Sequence, residues 1–130
     1  MGRYWKLMGQ YNAETTAYSA LAGTFGASPY TPTSDGRLLA LRTIVSHEDA
    51  TTLTEGVQFK LTCDKFTPNS IECQAIGNGL HTAPAFSTPQ TDWLVDQPVE
   101  AGVPITIEAR NITAETPVGI EVNLWGLFES

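Results

Sequence analysis

The residues best suited to chemistry in this sequence are two histidines, a few clustered carboxylates and two cysteines. His47, Glu48 and Asp49 are consecutive, which raises the question of a metal site. On a strand, only His47 and Asp49 would share a face, because side chains alternate. Zinc usually takes three or four protein ligands, so the tripeptide falls short. His81 stands in Leu80-His81-Thr82 with no carboxylate close in sequence. Both histidines read as ordinary loop polarity. Ser, His and Asp are all present, but neither a Gly-x-Ser-x-Gly elbow nor a phosphate-cradling Gly loop followed by Lys occurs. Gly77-Asn78-Gly79 suits a tight turn. Glycoside hydrolysis needs two carboxylates facing across a cleft, whereas these acids fall mainly on outward strand positions. No Asp-x-Asp-x-Asp calcium loop is present. The reading is therefore of a protein that is not an enzyme, with no catalytic, cofactor-binding or metal-binding residue and no cofactor.

Cys63 and Cys73 flank Thr67-Pro68-Asn69-Ser70, a turn cluster. If that turn centres on Pro68, the two lie opposite each other and a disulfide is geometrically open. Free buried thiols are the expectation, since an inward cysteine is a normal small core residue.

The elements that would carry these residues are strands. Val57, Phe59, Leu61 and Cys63 alternate with Gln58, Lys60, Thr62 and Asp64, and Ile71, Cys73 and Ala75 alternate with Glu72 and Gln74. Such alternation marks half-buried strands, here a hairpin with one wet side. Val103 to Ala109 and Val118 to Phe128 alternate in the same way. Arg37 to Ser46 is nearly equally apolar on both faces, which predicts a central strand covered on both sides, with a short helix as the competing reading. Tyr4 to Met8 and Trp93 to Val95 predict further short strands. Frequent Gly and Pro turn signals between them argue for a sandwich or barrel. The fold class is all-β, an antiparallel β-sandwich of jelly-roll kind, and residues 1–130 form a single domain.

The 130 residues carry 14 acidic and 7 basic side chains, a formal charge of −7. A nucleic-acid binder shows a basic patch, so none is expected as a direct partner. No run approaches the roughly 18 apolar residues of a membrane span, so no membrane partner is expected either. Arg3 and Lys6 precede no apolar segment, so the start does not read as a signal peptide. The charge is uneven. Residues 1–42 set Arg3, Lys6, Arg37 and Arg42 against Glu14 and Asp35, whereas residues 92–130 set seven carboxylates against Arg110. The two ends attract, which predicts either that the terminal strands are neighbours in one sheet or that copies meet head to tail.

Residues 10–36 stand apart as a long ordered loop or arm, almost uncharged but bearing Tyr11, Tyr18, Phe25 and Tyr30. It packs on its own body or on a neighbouring copy. On the last strand, Trp125 and Leu127 fall on the face away from the core. Tyr4 and Met8 on the first strand are expected to join them in an outward apolar patch, unless the arm covers it. Aromatic exposed patches mark binding surfaces. The interface candidates are Tyr4, Met8, Tyr18, Phe25, Tyr30, Trp125 and Leu127.

In layout the chain resembles small viral jelly-roll coat or decoration proteins. An aromatic N-terminal arm (10–36) precedes a strand-rich body, which closes on Val118-Gly-Ile-Glu-Val-Asn-Leu-Trp-Gly-Leu-Phe128. The arm lacks the basic residues many coat proteins use for the genome, which implies a place away from packaged nucleic acid. The resemblance implies a structural protein that self-assembles, its partners being copies of itself and other structural proteins. It would then reside in a virion, and otherwise in the cytoplasm. The alternative is a carbohydrate- or ligand-binding β-sandwich module, with Trp93, Trp125 or the loop aromatics as stacking platforms.

Overall fold

A computed structural model describes residues 2–12, 16–20, 28–47, 56–75, 90–112 and 120–130. They form eight strands: β1 (Arg3–Asn12), β2 (Ser19–Ala20), β3 (Gly36–His47), β4 (Val57–Thr62), β5 (Ser70–Ala75), β6 (Gln90–Val99), β7 (Thr106–Asn111) and β8 (Ile120–Glu129). Two four-stranded antiparallel sheets result, with order β1-β8-β3-β6 and β2-β7-β4-β5. The first strand pairs the eighth, the second the seventh, the third the sixth and the fourth the fifth. A long hairpin rolled into two layers has this connectivity, which is the jelly roll. The sandwich expected from the alternating pattern is the observed fold.

The core lies between the layers. One sheet contributes Met8, Leu38, Leu41, Val45, Val122, Leu124 and Phe128; the other contributes Val57, Phe59, Leu61, Cys73, Ile107 and Ala109. Tyr11 meets Phe59 edge-on across the layers, with ring centroids 6.5 Å apart. The terminal strands are neighbours, as the charge pattern predicts. Arg3 donates to Glu129 at 2.7 Å, and the ladder ends in a mutual Gly2–Ser130 backbone pair.

Two irregularities set which side chains face out. β1 bulges at Met8, between the Leu7–Trp125 and Gly9–Leu124 pairs. β3 bulges at Leu39, between the positions of Leu38 and Ala40. A bulge inserts one extra residue and shifts the alternation. This explains why Leu38 to Leu41 looks apolar on both faces: Leu38 and Leu41 are both buried, although three apart. β3 is central within its sheet, but its other face, with Ala40, Arg42 and Ile44, is only half-buried. The expectation of cover on both sides is corrected accordingly.

The β4–β5 register also settles the cysteines. Phe59 pairs with Cys73, and Cys63 donates its backbone N–H to Asn69. The hairpin is thus four residues out of the register that would face the two cysteines, an offset of about 13 Å along the strand. That is too far for a disulfide, and both are free, buried thiols. Burial pushes the Cys73 thiol up to about 12.

Candidate binding site

The outer faces of the two sheets differ in chemistry. On the β2-β7-β4-β5 sheet, Gln58, Lys60, Glu72, Glu108 and Arg110 form a polar lattice. Lys60 lies 3.6 Å from Glu108, and Arg110 donates to Gln58 at 2.7 and 3.0 Å. Tyr18 lies over this lattice, its ring 4.5 Å from the Lys60 ammonium and 4.6 Å from the Arg110 guanidinium. Burial, then the Glu72 carboxylate, raises its phenol above the ordinary value.

On the β1-β8-β3-β6 sheet, the register lines up outward side chains in cross-strand rows. Arg3, Glu129 and Arg37 make a charged row at one end. The next row is wholly apolar: Trp5, Leu127, Ala40 and Leu94. Leu7, Trp125, Arg42 and Asp92 follow, and then Gln10, Asn123, Ile44 and Gln90. Trp5 is 38% exposed and Leu94 90% exposed. Four strands spaced about 4.8 Å apart make this strip about 14 Å wide.

The polar groups on the strip are held in place. Arg42 donates to both carboxylate oxygens of Asp92, at 2.8 and 3.0 Å. Its guanidinium sits 4.2 Å from the centre of the Trp5 ring. A planar, delocalised cation on the negative face of an indole is a favourable pairing. The Arg42 hydrogen bonds hold the Asp92 carboxyl below the usual carboxylate range. The Gln10 amide donates to Glu121 and Asn123, at 2.7 Å each. Arg37 donates to Asp96 at 2.7 Å.

Of the residues singled out from the sequence, Trp125 and Leu127 do face outward and are half-buried. The placement of Tyr4 and Met8 beside them is corrected. Met8 is 1% exposed and lies in the core. Tyr4 pairs with Phe128 and stacks on its ring at 5.8 Å, on the core side of the sheet edge. Trp5 and Leu7 take the outward positions instead, because they pair with Leu127 and Trp125. Tyr18 and Tyr30 both pack on their own chain. Tyr30 forms a two-hydrogen-bond bridge with Ile105, and its ring lies 5.5 Å from that of Phe128. The described parts of the arm thus rest on the charged sheet and at the sandwich end. Residues 10–12 extend β1, and Phe25 lies outside the described residues, as do Glu48, Asp49 and His81. Trp93 points inward, and its indole N–H donates to the Gln74 carbonyl at 3.1 Å. Sequence reasoning missed Trp5, Arg42, Asp92 and Leu94. The parity of Arg42 and Asp92 was readable, but their apposition depends on the β3–β6 register. Among the described residues, no group of three or more His, Cys, Asp and Glu is placed to hold a metal.

Strand order and this aromatic strip define a jelly-roll β-sandwich with a candidate binding face. No protein-family model matches the chain, and no curated protein sequence matches it. Among solved structures it is similar to the C-terminal CBM6 of LamC, a marine laminarinase from Zobellia galactanivorans. The TM-score is 0.43 at 9% identity, covering 98% of this chain and 100% of that one. It is also similar to the carbohydrate binding module CBM6cm-2 of Cellvibrio mixtus lichenase 5A, in complex with cellotriose. There the TM-score is 0.40 at 11% identity, covering 95% and 98%. Of the likeness to viral coat proteins, the jelly-roll-like layout of strands is the part the fold supports.

Proposed function

We propose that this protein is a non-enzymatic binding module that takes a saccharide chain on the outer face of the β1-β8-β3-β6 sheet. The observation that carries the reading is the adjacency of two rows. Trp5, Leu127, Ala40 and Leu94 offer an apolar strip, and Trp125, Arg42 and Asp92 stand beside it. A pyranose ring has an apolar C–H face and an equatorial belt of hydroxyls. The C–H face suits the electron-rich face of an indole. The hydroxyls suit planar groups with fixed donors and acceptors, here Arg42, Asp92, Gln10 and Asn123. Arg42 is already held by Asp92 and Trp5, so little side-chain freedom is lost when it binds. The rows run across all four strands, which favours an extended chain over a single sugar.

The test is calorimetric titration with cellotriose and with soluble β-glucan, xylan and mannan, on the parent protein and on Trp5→Ala and Trp125→Ala. At least one glycan should bind the parent, and binding should weaken by about tenfold or more in each variant while the melting transition is kept. Absence of binding across the panel overturns the reading.

A second reading is self-assembly through the same strip, favoured by the outward apolar pair Trp125 and Leu127 in neighbouring rows. It would make this face a contact between copies. Light scattering on the eluting protein separates the two. A uniform oligomer that a Trp125→Ser, Leu127→Gln variant dissolves without unfolding supports assembly, since aromatic anchors dominate interface energy.

A further inference from the structure

Among the described residues, the edge where the two sheets meet carries a second feature, which shares only Leu94 with the aromatic strip. β5 closes one sheet and β6 closes the other, and the two edges run side by side. Between them lies a cleft of about 300 Å³ lined by Ile71, Glu72, Trp93, Leu94 and Val95. That volume is at the lower end for ligand sites. The cleft is braced at both ends. The Trp93 indole N–H holds the Gln74 carbonyl at 3.1 Å, tying β6 to β5. Further along, the Gln97 side chain accepts from the Thr67 N–H at 2.9 Å and donates to the Thr67 carbonyl at 3.3 Å. The opening is therefore set by hydrogen bonds, not by an accident of packing.

β6 itself is unlike a well-protected edge. Among the described strands it pairs with β3 alone. Natural edges are blunted by charge, proline or irregular backbone. Asp92 supplies charge at one end of β6, and at the other Asp96 takes a φ of 50° and Pro98 follows. Between them, Trp93, Leu94 and Val95 are consecutive apolar residues, and Leu94 is 90% exposed. Glu72 brings an exposed carboxylate to the rim of the cleft. Lys60 stands directly opposite Glu72 in register but turns to Glu108. Glu72 accepts from the Gln58 amide at 2.8 Å and lies beside the Tyr18 phenol.

We infer that this cleft is a docking site for an extended peptide that adds as a strand along β6. Alternate apolar side chains of the peptide enter over Ile71, Trp93 and Val95, and a lysine or arginine meets Glu72. Backbone hydrogen bonds to a sheet edge supply affinity and side-chain pockets supply selection. The negative rim and the overall charge of −7 favour a basic partner over an acidic one.

The probe is a short, end-blocked peptide of alternating valine and lysine. Its controls are the valine–glutamate counterpart and a valine–lysine peptide N-methylated at alternate backbone amides. The protein has three tryptophans, so a Trp5→Phe, Trp125→Phe variant leaves Trp93 as the sole indole reporter. This background also removes both indoles of the strip, so the peptide response is read without them and stays separate from a failure of saccharide binding. The valine–lysine peptide should shift Trp93 emission and bind about tenfold or more tightly than the valine–glutamate peptide. N-methylation should abolish the shift. Glu72→Gln should narrow the charge preference, and Leu94→Ser should weaken binding with the melting transition kept, because both side chains are exposed. Equal binding of the N-methylated peptide overturns the inference, since the backbone ladder would then play no part. So does the absence of any Trp93 response to millimolar peptide.

Discussion

Asp92 grips Arg42 with both carboxylate oxygens, at 2.8 and 3.0 Å, and so links the edge strand β6 to the central strand β3 on the outer face of the sheet. The pair is more important for orientation than for stability, because both side chains reach solvent. Exposed ion pairs contribute about 0–1 kcal/mol. The sign of its pH dependence follows from the lowered Asp92 carboxyl. A carboxylate with a depressed folded-state pKa adds stability above its unfolded value, and that addition is lost as pH falls through the folded value. Asp92→Asn should leave the neutral-pH melting temperature nearly unchanged and should flatten slightly the loss of stability below about pH 4. Thermal melts across an acid series check this. A large neutral-pH destabilisation would mean the pair has a structural role beyond orientation.

Gly126 sits where the sheet presses into its own core. An added Cβ would come within 2.6 Å of the Met8 sulfur, 2.8 Å of Phe128 Cε2 and 3.1 Å of Leu38 Cδ1. Gly126→Ala is expected to cost about 1–3 kcal/mol by overpacking. In the Met8→Ala background the same change should cost less, since the sulfur that it strikes is gone. Urea denaturation of the four proteins in this cycle measures the coupling.

Cys63 and Cys73 should both react in denaturant without reductant, giving two free thiols per chain. In the folded protein Cys73 should resist a thiol reagent at mildly alkaline pH, because burial raises its thiol to about 12 and leaves almost no thiolate. Reducing agent should not move the melting temperature. A count of zero thiols in denaturant would contradict the hairpin register.

Val57 and Ile107 are both 0% exposed and belong to neighbouring strands, β4 and β7. Val57→Asp or Ile107→Asp would place a carboxylate among apolar side chains, at a cost of several kcal/mol against a typical total stability of about 5–15 kcal/mol. Either variant should lack a cooperative melt. A normal transition would show that the inward faces are wrongly assigned.

Strand parity was legible in the sequence wherever the alternation ran unbroken. Val57 to Leu61, Ile107 to Ala109 and Val122 to Phe128 all face as their pattern predicts. It does not extend through Leu39, where a bulge adds a residue that no local signal marks. Tyr4 to Met8 alternate regularly ahead of the β1 bulge, but Tyr4 and Met8 face the core and Trp5 and Leu7 face out, the reverse of the expected assignment. The candidate site was less legible than the fold for a related reason. Trp125 and Leu127 could be read from one strand. The association of Trp5, Arg42 and Asp92 arises only when β1, β8, β3 and β6 come together from distant parts of the chain. The disulfide question turned on register alone, since both cysteines had been placed on the correct face.

Because β8 lies between β1 and β3, the β1-β8-β3-β6 sheet has a gap at its centre until residues 120–129 have been synthesised. β1 has no neighbour in that sheet before then, and Met8, Tyr11, Leu38 and Leu41 wait with apolar surface uncovered. Pairings between such distant segments delay folding, because long loops must close first. The nascent chain is therefore vulnerable to aggregation until β8 emerges, and a chain truncated before β8 should be far more prone to aggregate than one altered on the charged sheet.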